Sequence, residues 1–206
     1  CTEVTGFCGD DIQQVNEACD DGNTLNGDYC NQDCSSVTGS CGDGSIQLNE
    51  ACDDGGVLVG DGCSSLCAVE AYFACGDLAP STCERVVFVD VNANGANNGT
   101  SWTDGYTSLQ DGLDQAKDIF GVHGYVEIWV AEGTYRPTLA QSPSTARTET
   151  FALESGMVLL GGFAGGETHH KSRRPLDRET ILSGDINFSG NSTGNAYHVV
   201  VVESGQ

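Results

Sequence analysis

Residues 41–67 read CGDGSIQLNEACDDGGVLVGDGCSSLC, and residues 8–34 read CGDDIQQVNEACDDGNTLNGDYCNQDC. The two 27-residue units agree at 16 positions and recur with a period of 33 residues. Every cysteine superposes: Cys8 on Cys41, Cys19 on Cys52, Cys30 on Cys63 and Cys34 on Cys67. A fixed period of this length marks one small structural unit used repeatedly. Working outward, Cys1-TEVTGF-Cys8 parallels Cys34-SSVTGS-Cys41, so Cys1 falls one period before Cys34. It reads as the last cysteine of an upstream repeat in a chain that begins mid-protein, although a mature bacterial lipoprotein also opens on Cys. Beyond Cys67 a truncated third unit runs from Cys75 to Cys83.

Composition divides at the same place. All 11 cysteines lie in residues 1–83, where no Lys or Arg occurs; the first base is Arg85. Residues 1–84 hold 16 of the 30 acids, and residues 85–206 hold the other 14 with all 8 bases. The expected domains are therefore 1–84 and 85–206. A net charge of −22 excludes nucleic acid, whose phosphates need clustered Lys and Arg. It also disfavours anionic membrane surfaces, and no apolar run approaches the roughly 18 residues of a membrane span.

Large apolar residues are scarce in the first half, so a core of ordinary size cannot form there. Disulfides supply the alternative, about 2–4 kcal/mol each, and their density points to an oxidising compartment. With bridges closed inside each repeat, the ten residues Cys8, Cys19, Cys30, Cys34, Cys41, Cys52, Cys63, Cys67, Cys75 and Cys83 are all paired. The stub then pairs Cys75 with Cys83, and analogy with it pairs Cys8 with Cys19 and Cys30 with Cys34; bridges between repeats stay open.

The acids repeat as well: Glu17, Asp20, Asp21 and Asp28 recur as Glu50, Asp53, Asp54 and Asp61, with Asp10 and Asp43 alongside. Carboxylates crowded by bridges, with no base nearby, call for a hard cation, and Ca2+ suits a flexible all-oxygen site. One Ca2+ per repeat is expected. The competing account is a solvated acidic surface whose Asp and Asn serve turns. Zinc is disfavoured because paired CxxC knuckles are missing.

The CGDG…NEACDDG…GDGCSSLC pattern of residues 41–67 resembles the myxobacterial-type cysteine-rich repeat of bacterial surface proteins. Related units occur in pappalysin-like metalloproteases, and the acidic loops are similar to Notch-type calcium repeats. The resemblance covers residues 1–83, with Asp11 and Tyr29 of the first unit standing where the second has Gly44 and Gly62. It implies a secreted spacer or interaction module without catalysis.

From Arg85 the texture changes. Val86–Val91 reads as a strand, and Ser108–Phe120 as a helix with apolar residues at Leu109, Leu113, Ala116 and Phe120. Ser108 with Asp111 resembles a capping box and Gly121 is the expected stop. Short apolar runs follow at Val126–Ala131, Phe151–Leu153, Val158–Gly161, Thr180–Leu182 and His198–Val202. Their spacing suggests coils of a parallel β-helix with the 108–120 helix as its end cap; a small sandwich is the alternative. FVDVNANGANNGTSW, VEIWVAEGTYRPT, GGFAGGET, TILSGDI and AYHVV together resemble the amino-terminal cap and first coils of bacterial right-handed parallel β-helix proteins, pectin-lyase-like or polymorphic-outer-membrane-protein-like. The expected fold is thus mostly β: disulfide-rich repeats followed by the first coils of a helix-capped right-handed parallel β-helix.

Asp90, Asn92 and Asn94 fit the first half of an EF-hand loop, but Ser101 stands where its terminal Glu belongs; a helix-less Ca2+ loop and an Asn/Gly turn are both open. The GGFAGG run at 161–166 lacks phosphate-binding spacing and reads as a tight corner between strands. His169 and His170 are adjacent, and on a strand such neighbours face opposite sides, so a surface loop is expected rather than a metal site. Arg173 and Arg174 are expected to pair with nearby acids. Asp177, Glu179 and Asp185 are available for hydrolytic chemistry, yet nothing fixes their separation. No nucleophile elbow, HExxH or Cys–His pair occurs, so no catalytic set is expected. Asn98, Asn187 and Asn191 head glycosylation sequons.

These readings favour a secreted or cell-surface structural or adhesive protein. In it a stalk stabilised by Ca2+ and disulfides carries the β-helix, for contact with a surface glycan or protein or for self-assembly into filaments. The alternative is a polysaccharide lyase or hydrolase of the pectin-lyase-like fold, with its active site on coils beyond residue 206.

Overall fold

The computed structural model describes residues 7–25, 29–48, 50–138, 146–187, 190 and 194–203. Two compact units emerge, residues 1–70 with 75–83, and residues 71–74 with 84–206.

The first unit is built of turns around sulfur. One cluster joins Cys19, Cys30 and Cys34 with Cys8 and Tyr29, the other Cys52, Cys63, Cys67 and Cys75 with Cys41 and Cys83. Leu25, Leu48, Leu58, Val59 and Leu66 face outward. Apolar side chains therefore contribute little here, and the cystines are the core. The two repeats share one backbone pattern. Ala18 N–H donates to the Cys34 carbonyl (2.8 Å) as Ala51 N–H does to Cys67 (2.9 Å), and Cys34 and Cys67 both take left-handed φ, 54° and 51°.

Among the described residues five disulfides form, all within repeats: Cys8–Cys34, Cys19–Cys30, Cys41–Cys67, Cys52–Cys63 and Cys75–Cys83. The pairing expected for the stub is present. The pairing carried from it to the full repeats is corrected: the bridges are nested, one spanning 26 residues around one spanning 11. In the chain-entropy picture a nested pair restricts the unfolded chain more than two short sequential loops, because the larger ring removes more freedom.

In the second unit the elements are β1 (Phe73–Cys75), β2 (Cys83–Val89), α1 (Leu109–His123), β3 (Val126–Ala131), β4 (Gly133–Tyr135), β5 (Phe151–Glu154), β6 (Met157–Phe163), β7 (Thr180–Leu182) and β8 (Val200–Glu203). One sheet has the order β1-β2-β3-β6, and β4–β7 and β5–β8 form two-stranded sheets. Val86 of β2 pairs in parallel with Glu127 of β3, and Glu127 with Val158 of β6. β3, parallel to both its neighbours, is buried along its whole length, as a strand covered on both faces is. Val87, Val89, Ile128, Val130, Phe151 and Leu153 meet Leu109, Leu113 and Ala116 of α1 in the main core, while Phe88, Trp129 and Phe163 fill a second one. Trp129 and Phe163 stack with centroids 4.9 Å apart.

The expected helix-capped right-handed parallel β-helix is corrected by this topology. Strands are few and short, turns and loops make up most of the chain, and among the described residues no sheet closes or continues as a solenoid. A solenoid needs some three stacked repeats to bury a continuous core, whereas the minor sheets here have two strands each. α1 lies over β3 and β5, where it fills the core rather than standing as an end cap.

Ser108 caps α1 as expected, its hydroxyl accepting from Asp111 N–H at 3.4 Å. The stop is Gly124, not Gly121: Gly124 takes φ 73° and donates to the Phe120 carbonyl at 2.7 Å. Gly121 stays helical, and the left-handed turn that ends the helix falls three residues later. Buried Tyr135 links β4 to the β2 end, its hydroxyl accepting from Val91 N–H and donating to the Ala131 carbonyl, both at 3.2 Å. Burial pushes that phenol up to about 12.

Candidate functional site

In each repeat the acid following the second cysteine is held by the backbone. Asp20 Oδ2 accepts from Gly9 N–H (2.8 Å) and Asp10 N–H (3.3 Å), and Oδ1 from Asp11 N–H (3.0 Å) and Gly22 N–H (2.8 Å). Asp53 repeats the arrangement with Gly42 (2.9 Å), Asp43 (3.2 Å), Gly44 (3.1 Å) and Gly55 (2.8 Å). Asp53 is fully buried; its own N–H reaches Ser81 Oγ at 3.1 Å, and its carbonyl accepts from Ser81 N–H at 2.6 Å. Four donors occupy the lone pairs of one carboxylate, a charge-assisted set that binds two turns into a knot. The same bonds set the Asp20 titration. The Gly22 N–H is the largest influence holding its carboxyl below the ordinary 3.8, ahead of an opposing desolvation and the further donors Gly9, Asp11 and Asp10.

The other acids of the motif divide. Glu17 and Glu50 accept from Gln14 N–H (2.9 Å) and Gln47 N–H (3.0 Å). Asp21 Oδ2 accepts from Cys30 N–H at 2.8 Å, while its Oδ1 is buried without a hydrogen-bond partner, as are Gln14 Oε1 and Gln47 Oε1. Asp54 Oδ1 accepts from Gly56 N–H at 3.0 Å, and a Cβ on Gly56 would meet Asp54 Oδ1 at 3.4 Å and Asp61 Oδ2 at 4.0 Å. Asp54 and Asp61 therefore flank one small gap. Asp28, the equivalent of Asp61 in the first repeat, lies outside the described residues.

Glu17 and Asp20 lie together near Cys34 sulfur, and Glu50 and Asp53 near Cys67 sulfur. Both sulfurs are in disulfides and offer no thiolate, so neither group is a soft-metal site. The chemistry left for a cation in the repeats is oxygen alone. Asp20 and Asp53 would have to surrender amide bonds to ligate anything.

The Asp90 loop resolves in the same direction. Asp90 Oδ1 accepts from Asn92 N–H (2.8 Å), its carbonyl accepts from Ala93 N–H (2.9 Å), and Asp104 Oδ1 accepts from Ala96 N–H (2.7 Å). The first is an Asx-turn bond, the second closes a backbone turn and the third ties the loop to Asp104; among the described residues no hydrogen bond gathers the Asn92 and Asn94 side chains with Asp90. In the 161–166 run, Gly162 has φ 93° where the β3–β6 register slips between Val130 and Ala131. Gly162 thus serves a bulge within β6, while Gly165 and Gly166 lie in the loop beyond Phe163. Glu167 then folds back on the loop, accepting from Ala164 (2.7 Å), Gly165 and Gly166 N–H (both 3.1 Å). Burial raises its titration, and the amide bonds outweigh that and lower it.

Arg173 donates to the Gly161 carbonyl at 3.4 Å rather than to an acid, and the ion pair in this region is Arg178 with Glu132 at 2.7 Å. Asp185 Oδ2 accepts from Gly190 N–H at 3.2 Å, again a loop role. His169 and His170 stand on no strand: His169 caps the short 3-10 helix His170–Ser172, and the two rings come within 4.6 Å. Among the described residues no helix is long and apolar enough to cross a membrane.

Compared with family models, with curated proteins and with solved structures, the chain matches none.

Proposed function

We propose that this chain is part of an extracellular structural or adhesive protein, and that its acidic repeats are disulfide-stapled spacers holding one Ca2+ each. The observation that carries the reading is the duplicated knot. Twice, nested cystines enclose one carboxylate that gathers four amides. Such a unit keeps its shape without an apolar core, which is what a spacer in an oxidising compartment requires. Carboxylate-to-amide knots serve geometry and offer no nucleophile or proton relay, so the reading is structural rather than catalytic.

Calcium enters through Asp21 in the first repeat and through Asp54 and Asp61 in the second. Asp20 and Asp53 hold the backbone that positions them. Buried Asp21 Oδ1 without a donor supports this, because a carboxylate oxygen deprived of water needs a cation or an N–H. Partners of the whole protein, on this reading, are a surface glycan or protein or further copies of itself.

Calorimetry of the oxidised full chain tests the reading. About two Ca2+ are expected, at the 10⁻⁴–10⁻³ M affinities of extracellular modules, with Asp54→Asn plus Asp61→Asn removing one of them. Absence of heat at millimolar Ca2+ defeats the calcium proposal. Free thiols in the secreted native protein defeat the extracellular one.

A further inference from the structure

The parallel pairing of β2 with β3 puts Glu84 and Glu127 on neighbouring strands, and the loop after β6 brings His169 and His170 to them. The His169 imidazole caps the 3-10 turn, Nδ1 accepting from Lys171 N–H at 3.0 Å. Because the chain turns here instead of extending, successive histidines lie on one side. One ligand atom each from Glu84, His169 and His170 falls within 4.8 Å of the other two.

Two features separate this cluster from an ordinary ion pair. His170 Nδ1 lies 2.8 Å from Glu84 Oε1, yet the ring N–H is not aligned for a hydrogen bond, and Nδ1 is buried without a partner. Glu84 Oε2 is likewise buried without one. The donor atoms thus converge without satisfying one another, as ligands of a common ion do. Behind them Glu127, almost wholly buried, accepts from Tyr125 hydroxyl (2.5 Å) and Trp129 Nε1 (2.6 Å), which fixes its Oε2 3.7 Å from His170 Nδ1. The structure supplies an inner set of two imidazoles and a carboxylate, with an outer carboxylate braced by aromatic donors.

We propose that Glu84, His169 and His170 bind one divalent transition ion of the Zn2+ class. Two imidazole nitrogens and one carboxylate oxygen suit Zn2+, which takes His and Glu at about 2.0–2.2 Å, whereas Ca2+ and Mg2+ take oxygen sets. Donors on a tetrahedral ion stand about 3.3 Å apart, which the present spacing reaches with small side-chain rotations. His169 gives up the Lys171 hydrogen bond whichever ring nitrogen ligates, since a neutral imidazole that accepts at Nδ1 carries its proton on Nε2. Glu127 acts as a positioning residue that adds negative charge behind His170. Three protein ligands leave the fourth position to water. The site shares no residue with the acidic repeats.

The test is calorimetric titration of the oxidised full chain with Zn2+ after chelation, in excess Ca2+ so that oxygen sites do not report. Substitution by Co2+ then reads the ligand field by absorption. One Zn2+ per chain and the intense visible bands of tetrahedral Co2+ are expected. Glu84→Gln, and His169→Ala with His170→Ala, should each weaken binding roughly 100-fold or more, while His123→Ala and His198→Ala leave it unchanged. Zinc-induced shifts of wild-type imidazole 15N resonances give a readout that needs no folded variant. Shifts confined to His169 and His170 support the site. Shifts at His123 or His198 instead, undiminished affinity in the double variant, or no zinc heat at all overturn it.

Discussion

Asp53 is a fully buried acid in a unit without Lys or Arg, and its charge is met by four backbone N–H groups. Replacing it by Asn puts an NH2 against amide donors and leaves at least one of them unpaired. Asp53→Asn should therefore cost about 2–3 kcal/mol, read as a fall of roughly 10 °C or more in the melting of a small unit. Asp20 carries the same knot nearer to solvent, and its lowered titration has a consequence in acid. A carboxyl held low in the folded state contributes stability above its unfolded value of about 3.8, and that stability is lost as pH falls below it. Amide exchange at Gly9, Asp11 and Gly22 should accordingly quicken as pH falls below about 3.8, beyond the change in intrinsic exchange. Unaltered protection over that range would show that Asp20 does not hold these turns.

Two glycines of α1 carry opposite predictions. Gly112 faces the sheet, where an added Cβ would meet Val89 Cγ2 at 2.5 Å; Gly121 has open space around it. Gly112→Ala should lower thermal stability despite the gain in helix propensity, because a well-packed core resists added volume. Gly121→Ala should raise it by about 0.8–1 kcal/mol, the propensity difference alone. Equal effects in denaturant titrations would mean that Gly112 does not face the sheet at Val89. Among the cystines, non-reducing peptide maps should return Cys8–Cys34 and Cys19–Cys30. Cys19→Ser with Cys30→Ser should cost about 3 kcal/mol, seen as earlier unfolding of the repeat unit.

For the whole molecule, the surplus of acids has a distributed explanation. Asp20, Asp53, Glu70, Asp104 and Glu167 each accept from two or more groups of nearby loops. Their charge works locally, on backbone dipoles, so high salt should weaken these turns little compared with exposed ion pairs. Melting curves in low and in molar salt check this, with a large loss in salt pointing to long-range charge effects instead.

The sequence by itself determined the cysteine repeat, the sulfur-based core and the contrast between residues before and after Arg85. It also located α1 and the main strands, because identical spacings and apolar runs are local properties of a chain. It left the disulfide partners open, since sequential pairing and the nested pairing of Cys8 with Cys34 and Cys19 with Cys30 both use every cysteine of the repeat, and only the packed turns choose between them. β1 and β4, three residues each, carried no periodicity to read. The solenoid expectation failed because regular spacing of strands does not state how many stack in a sheet. Asp20 looked like a cation ligand, as acidity is written in one dimension while the amides that satisfy it come from residues 9–11 and 22. Glu84 and His170 stand 86 positions apart; their meeting was decided by parallel strand pairing and a 3-10 turn, which no local pattern encodes.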